Sequence, residues 1–144
     1  MRVNAAEGRL LRLVNVARRQ AGVRPLRLAP GLTDVARRWS KGMAVRRTLT
    51  HNPHLAASVQ VAGGASWRVI GENVAFGGDA DSVFRMYMAS APHRANILSP
   101  SYQFLGIGWV ERDKGRGYTT LVFSSAYSHA YGPTRVEPGA ISEP

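Results

Sequence analysis

Residues 68–76, Arg68-Val69-Ile70-Gly71-Glu72-Asn73-Val74-Ala75-Phe76, read as a β-strand with one carboxylate set into it. Ile70 and Val74 are apolar and pin Glu72 to a buried element. Two further polar islands interrupt apolar sequence, His51 in Leu49-Thr50-His51-Asn52 and His93 ahead of Ile97 and Leu98. Two imidazoles and a carboxylate are the side chains that build a zinc site or a general acid/base pair. They lie far apart along the chain, so only a fold brings them together.

Working outward from that strand, residues 5–21 form an amphipathic pattern, with Leu10, Leu13, Val14 and Ala17 at helical spacing and Gly22 closing it. Residues 23–30 are a proline-punctuated connector. A second helix is expected over 32–47, with Leu32, Val35, Ala36, Trp39 and Met43 on its apolar face. His51 follows it in a turn marked by Asn52-Pro53. Residues 54–67 are small, apolar and glycine-bearing, which predicts an irregular loop.

After the strand, Gly77-Gly78-Asp79 reads as a turn, and Asp81 or Ser82 as the cap of a third helix running to Ala89. Pro92 is expected to interrupt, leaving a short helical turn over 94–98. Residues 102–110 and 117–126 alternate like two strands joined through a polar turn. The stretch after Gly132 is rich in proline and glycine and is expected to fray, giving one domain over 5–130 and a tail over 131–144. Helices first and mainly antiparallel strands later imply an α+β layered domain.

At 144 residues the chain suits one domain with a single core. No stretch approaches the ~18 consecutive apolar residues of a membrane span, and Met1 to Leu10 shows no signal-peptide apolar region. The absence of cysteine excludes disulfides, thiolate metal sites and cysteine nucleophiles. Nineteen basic against nine acidic residues give a net charge of +10, which suits an anionic partner. The same charge also fits a solvated, arginine-rich surface. No run of five basic residues and no aromatic–basic interleaving occurs, so nucleic acid is not the expected partner.

Taken in order, these motifs resemble the CAP superfamily of cysteine-rich secretory, venom-allergen and plant pathogenesis-related proteins, in its cysteine-free bacterial branch. The resemblance runs from about Leu10 to Tyr127. It rests on Leu13-Val14-Asn15 with Arg18, on Gly71-Glu72-Asn73, on His93-Arg94-Ala95-Asn96-Ile97-Leu98, and on Gly106-Ile107-Gly108. It implies a three-layer α-β-α sandwich around a mainly antiparallel sheet, with a cleft over the sheet. Many members place two His and two Glu there, and the two His can hold a divalent metal, often zinc. His51 and His93 match the two histidines and Glu72 the first glutamate. The second glutamate of larger members sits three residues after an aromatic on the third helix; here the aromatic is Tyr87 and the third residue on is Ser90.

Glu72 then has two readings: a functional group that orients a histidine or acts as general base, and a buried carboxylate satisfied by backbone N–H groups. Asn73 and Asn96 read as structural, each satisfying backbone groups beside a turn, with Asn73 near the cleft. Ser90 reads as a helix-terminal residue at the cleft, since no nucleophile-elbow pattern surrounds it. His54 and His129 read as exposed, and Tyr102, Phe104 and Trp109 as sheet core. The resemblance implies a secreted or envelope-associated module that binds zinc or another divalent cation at His51 and His93, with a groove for a lipid or anionic envelope component. The alternative is a zinc-assisted hydrolase with Glu72 as general base.

Overall fold

The computed structural model describes residues 2–63, 67–125 and 135–141. His129, read as exposed from the sequence, lies outside them. Helix α1 (Ala5–Gln20) starts at Asn4, whose side chain accepts from the Glu7 N–H while the Glu7 carboxylate accepts from the Asn4 N–H. This reciprocal cap satisfies two of the orphan donors at the helix start. Glu7 is buried, and it also takes the Arg37 guanidinium at 2.7 Å and the Trp109 N–H at 3.2 Å. One carboxylate thereby ties α1 to α2 (Pro30–Arg46) and to β3 (Phe104–Glu111).

The sheet has the order β1-β3-β4-β2-β5, with β1 (Arg27–Leu28), β2 (Val69–Gly77), β4 (Gly117–Ser124) and β5 (Arg135–Ile141) around β3. The three central strands are antiparallel, while the edge strands β1 and β5 pair in parallel. Strand β5 falls within the stretch for which proline and glycine predict fraying. Alternate residues face alternate layers. Ile70 and Val122 pack under α2 and α3 (Leu55–Gly63), whereas Leu105, Ile107, Leu121 and Phe123 pack under α1, α4 (Ala80–Ala89) and α5 (Ala91–Leu98). The architecture is the expected α-β-α sandwich. Tyr102 and Trp109 are buried in its core, and Phe104 packs against it in part.

Gly106 and Gly108 fall on the face of β3 that α2 crosses. A methyl group at Gly106 would collide with the Leu32 backbone, and one at Gly108 would lie 2.5 Å from the Ala36 carbonyl oxygen. The Ser40 hydroxyl meets Thr120 Oγ1 at 2.7 Å in the same contact. The missing side chains let the α2 backbone approach the sheet closely.

Three local expectations need correction. Residues 55–63, read as part of an irregular loop, form α3, because Leu55 and Val59 lie one turn apart and both bury against α2. Pro92 does not interrupt; it sits in the first turn of α5, where its missing N–H costs nothing. Asp79, not Asp81 or Ser82, caps α4 by accepting from the Ser82 N–H at 2.7 Å. Asp81 instead pairs with Arg9 at 2.9 Å.

Candidate functional site

Strand β2 carries the centre of the site because its consecutive residues reach opposite layers. Glu72 is fully buried, and its Oε1 accepts from the Asn52 N–H at 2.9 Å and faces His51 Nδ1 at 2.9 Å. Asn73, on the other face, donates its amide to the His93 carbonyl at 3.0 Å, and its Oδ1 accepts from Asn96 at 2.9 Å. Glu72 thus anchors the turn after α2, and Asn73 anchors the first turn of α5. Asn96 also donates to the Glu72 carbonyl at 3.4 Å.

On its outer side β2 pairs with β5, among the described residues, through Val69, Ile70 and Glu72. Beside the remainder of that strand lies a cavity of about 360 Å³, bounded by Leu49, Val74, Ala75, Tyr87, Ser90 and His93. It joins the α2–α3 connection to α4 and α5 across one sheet edge. Its walls are mainly apolar, with the His93 and Ser90 side chains among them.

The two imidazoles are held in the same way by different partners. His51 Nδ1 faces the Glu72 carboxylate, which orients the ring. His93 Nδ1 lies 2.7 Å from the Ser90 hydroxyl. The Nε2 atoms of both rings are buried and have no hydrogen-bond partner among the described residues. Burial lowers the His93 pKa, and the nearby His51 lowers it further, so His93 is held toward its neutral, lone-pair-bearing form. Ser90 begins α5 but makes no side-chain cap bond, so its hydroxyl is spent on the imidazole.

Tyr87 was not read from the sequence as a site residue. Its ring lies 5.2 Å from that of His93, and its hydroxyl is buried without a partner among the described residues. Burial, and secondarily the Glu72 charge, push its pKa well up, so the phenol stays protonated. The available signal was its place one turn after Val83 on the inward face of α4. Asn52, whose N–H completes the Glu72 cradle, was read only as a turn residue. His54 is exposed, as expected; it lines a separate cavity of about 670 Å³ with Asp34, Arg38 and Trp39.

Two imidazoles whose Nε2 atoms have no partner among the described residues are a chemically suitable pair for a divalent cation. Among the described residues no group of three or more His, Cys, Asp or Glu side chains is gathered for one. The donor set among the described residues offers two histidines for such a cation.

The profile of the cysteine-rich secretory protein family matches residues 11–127, from within α1 to just beyond β4. The chain belongs to the CAP family. Protein YkwD of Bacillus subtilis is 32% identical over 113 residues, covering 76% of this chain and 44% of YkwD. The chain thus spans less than half the length of that curated relative. An extracellular SCP-domain protein of Bacillus anthracis superposes with a TM-score of 0.74 at 24% identity, over 85% of this chain and 41% of that one. An outer surface protein of Borrelia burgdorferi gives a TM-score of 0.78 at 15% identity, over 87% and 96% of the two chains. These two likenesses show the fold. The CAP profile spans His51, Glu72 and His93 together.

Proposed function

We propose that this CAP domain is a secreted or envelope-associated binding module whose cleft takes a divalent cation, zinc foremost, at His51 and His93. One observation carries the reading: both Nε2 atoms are buried without partners among the described residues, while each Nδ1 is fixed by a second residue. An imidazole oriented through one nitrogen presents the other as a ligand. Glu72 and Ser90 then act as positioning residues. A cation held there would supply Lewis acidity and bind a ligand oxygen.

The cavity beside His93 extends the proposal to an apolar ligand. Its volume of about 360 Å³ falls near the lower end of small-molecule sites. Leu49, Val74 and Met86 suit the acyl portion of a lipid or envelope component, and the net charge of +10 favours an anionic surface around it. Secretion is supported by the extracellular and outer-surface relatives that share the fold. Among the described residues no helix is long and apolar enough to cross a membrane.

Imidazole ¹⁵N spectra recorded during zinc addition test the cation site. The Nε2 signals of His51 and His93 are expected to move together and to saturate at one equivalent. Movement of His54 alone would sink the proposal.

A second reading, a hydrolase with Glu72 as general base, draws on the buried Glu72 Oε2, which has no partner among the described residues. In that reading Oε2 takes a proton from a cleft water. It requires turnover that vanishes in Glu72→Gln while zinc still binds; no turnover on ester, peptide and glycan panels would dismiss it.

A further inference from the structure

Arg18, on α1, is fully buried. Its Nε donates to the Arg24 carbonyl at 2.7 Å, Nη1 to Ile97 and Ser99 at 2.8 and 2.9 Å, and Nη2 to Tyr102 at 3.2 Å. Every acceptor is a neutral backbone carbonyl, and no carboxylate pairs with the guanidinium among the described residues. Burial lowers its pKa, yet an arginine stays charged at any physiological pH. A full positive charge therefore sits inside this end of the domain, balanced among the described residues by peptide dipoles.

Two of the residues it holds, Arg24 and Tyr102, line a cavity of about 430 Å³, whose wall also includes Gly22, Arg27, Pro100 and Gln103. The cavity lies where the chain leaves α1 and enters the edge strand β1. Gly22 turns the chain there with a φ of +75°, a conformation glycine adopts without steric cost. Arg24 and Arg27 are both exposed, and neither side chain forms an ion pair or hydrogen bond among the described residues. Other arginines do find acids: Arg9 pairs with Asp81 and Arg37 with Glu7. Among the described residues no acidic side chain lines the cavity.

Like charges gathered at a concavity repel one another and focus a positive field into it. A guanidinium fork matches the oxygens of a phosphate two at a time. We infer that the Arg24–Arg27 cavity is a cradle for a phosphate group, with Arg18 as the buried cation that fixes its wall. It shares no residue with the His51–Glu72–His93 cleft. It shares with the proposed function only the expectation of an anionic partner, and it stands even if the cleft binds nothing.

The phosphate could belong to a soluble ester or to a lipid headgroup, and two probes separate these. In the first, ¹⁵N-labelled protein is titrated with glycerol phosphate, and with glycerol as the uncharged control. Saturable shifts are expected at residues 22–27 and at Gln103, with no response to glycerol. Arg24→Gln and Arg27→Gln are each expected to weaken binding about tenfold. Arg12→Gln, an exposed arginine elsewhere on α1, should leave it unchanged. In the second, sedimentation with phosphatidylglycerol vesicles that is lost in the Arg24→Gln, Arg27→Gln double variant and kept in Arg12→Gln would assign a headgroup. Binding of glycerol phosphate without vesicle binding would assign a soluble ester. No saturable response to either probe would overturn the inference. So would equal weakening by Arg12→Gln and Arg24→Gln, because diffuse surface charge would then suffice.

Discussion

His51 Nδ1 and Glu72 Oε1 meet at 2.9 Å, joining the turn after α2 to the middle of β2 across 21 residues of sequence. The same oxygen takes the Asn52 N–H at 2.9 Å, so one buried carboxylate fixes both the backbone of the turn and the ring it carries. Glu72→Gln keeps the shape and one acceptor but removes the charge. Urea titration should show a loss of about 1–2 kcal/mol, the difference between charge-assisted and neutral hydrogen bonds. Zinc affinity should fall about tenfold or more as the imidazole loses its orienting partner.

Ser90→Ala separates positioning from stability at the other ring. The hydroxyl lies 2.7 Å from His93 Nδ1 and makes no cap bond. Thermal unfolding should therefore change by less than about 1 kcal/mol, whereas zinc affinity falls about tenfold or more. Ser90→Thr, which retains a hydroxyl, should restore affinity. Equal affinity in Ser90→Ala and wild type would remove Ser90 from the site.

The pH dependence of metal-free protein has a definite sign. Burial and His51 hold the folded His93 below the ordinary imidazole value of 6.5. Below that value the unfolded chain takes up a proton that the folded state resists. Stability from this group is complete above the ordinary value and declines as pH falls toward the folded one. Melting temperatures measured from about pH 8 to about pH 5 should fall less steeply in His93→Asn than in wild type. Parallel curves would contradict the assignment.

Gly108→Ala tests the α2–β3 contact without touching the cleft. The added methyl would meet the Ala36 carbonyl oxygen at 2.5 Å and the Arg37 nitrogen at 2.6 Å. Both are backbone atoms of one helix, so relief requires moving α2. A loss of about 3 kcal/mol or more is expected, read from the shift in urea midpoint.

The sequence made the helix–strand order legible because α1 and α2 carry strong apolar periodicity and the central strands alternate. It also marked His51, Glu72 and His93, since polar residues inside apolar runs are conspicuous. α3 was not legible: Leu55 and Val59 give it one short apolar stripe, and an exposed valine, Val61, blurs the contrast with its other face. Its stability comes from packing on α2, which no local window contains. Pro92 misled because proline breaks a helix interior but suits a first turn. Tyr87 and Asn52 were invisible as site residues for a different reason. Their roles depend on a buried hydroxyl and a backbone N–H; helical spacing places Tyr87 on the inward face of α4 but marks neither group as part of a site.

Calorimetric titration of zinc into metal-stripped protein, beside His51→Ala and His93→Ala, addresses the central claim most directly. The two-histidine cleft predicts one saturable site in wild type that is lost in both variants while each remains folded. Zinc binding that survives either substitution, or no binding to wild type, would contradict it and leave both imidazoles as structural members of the cleft.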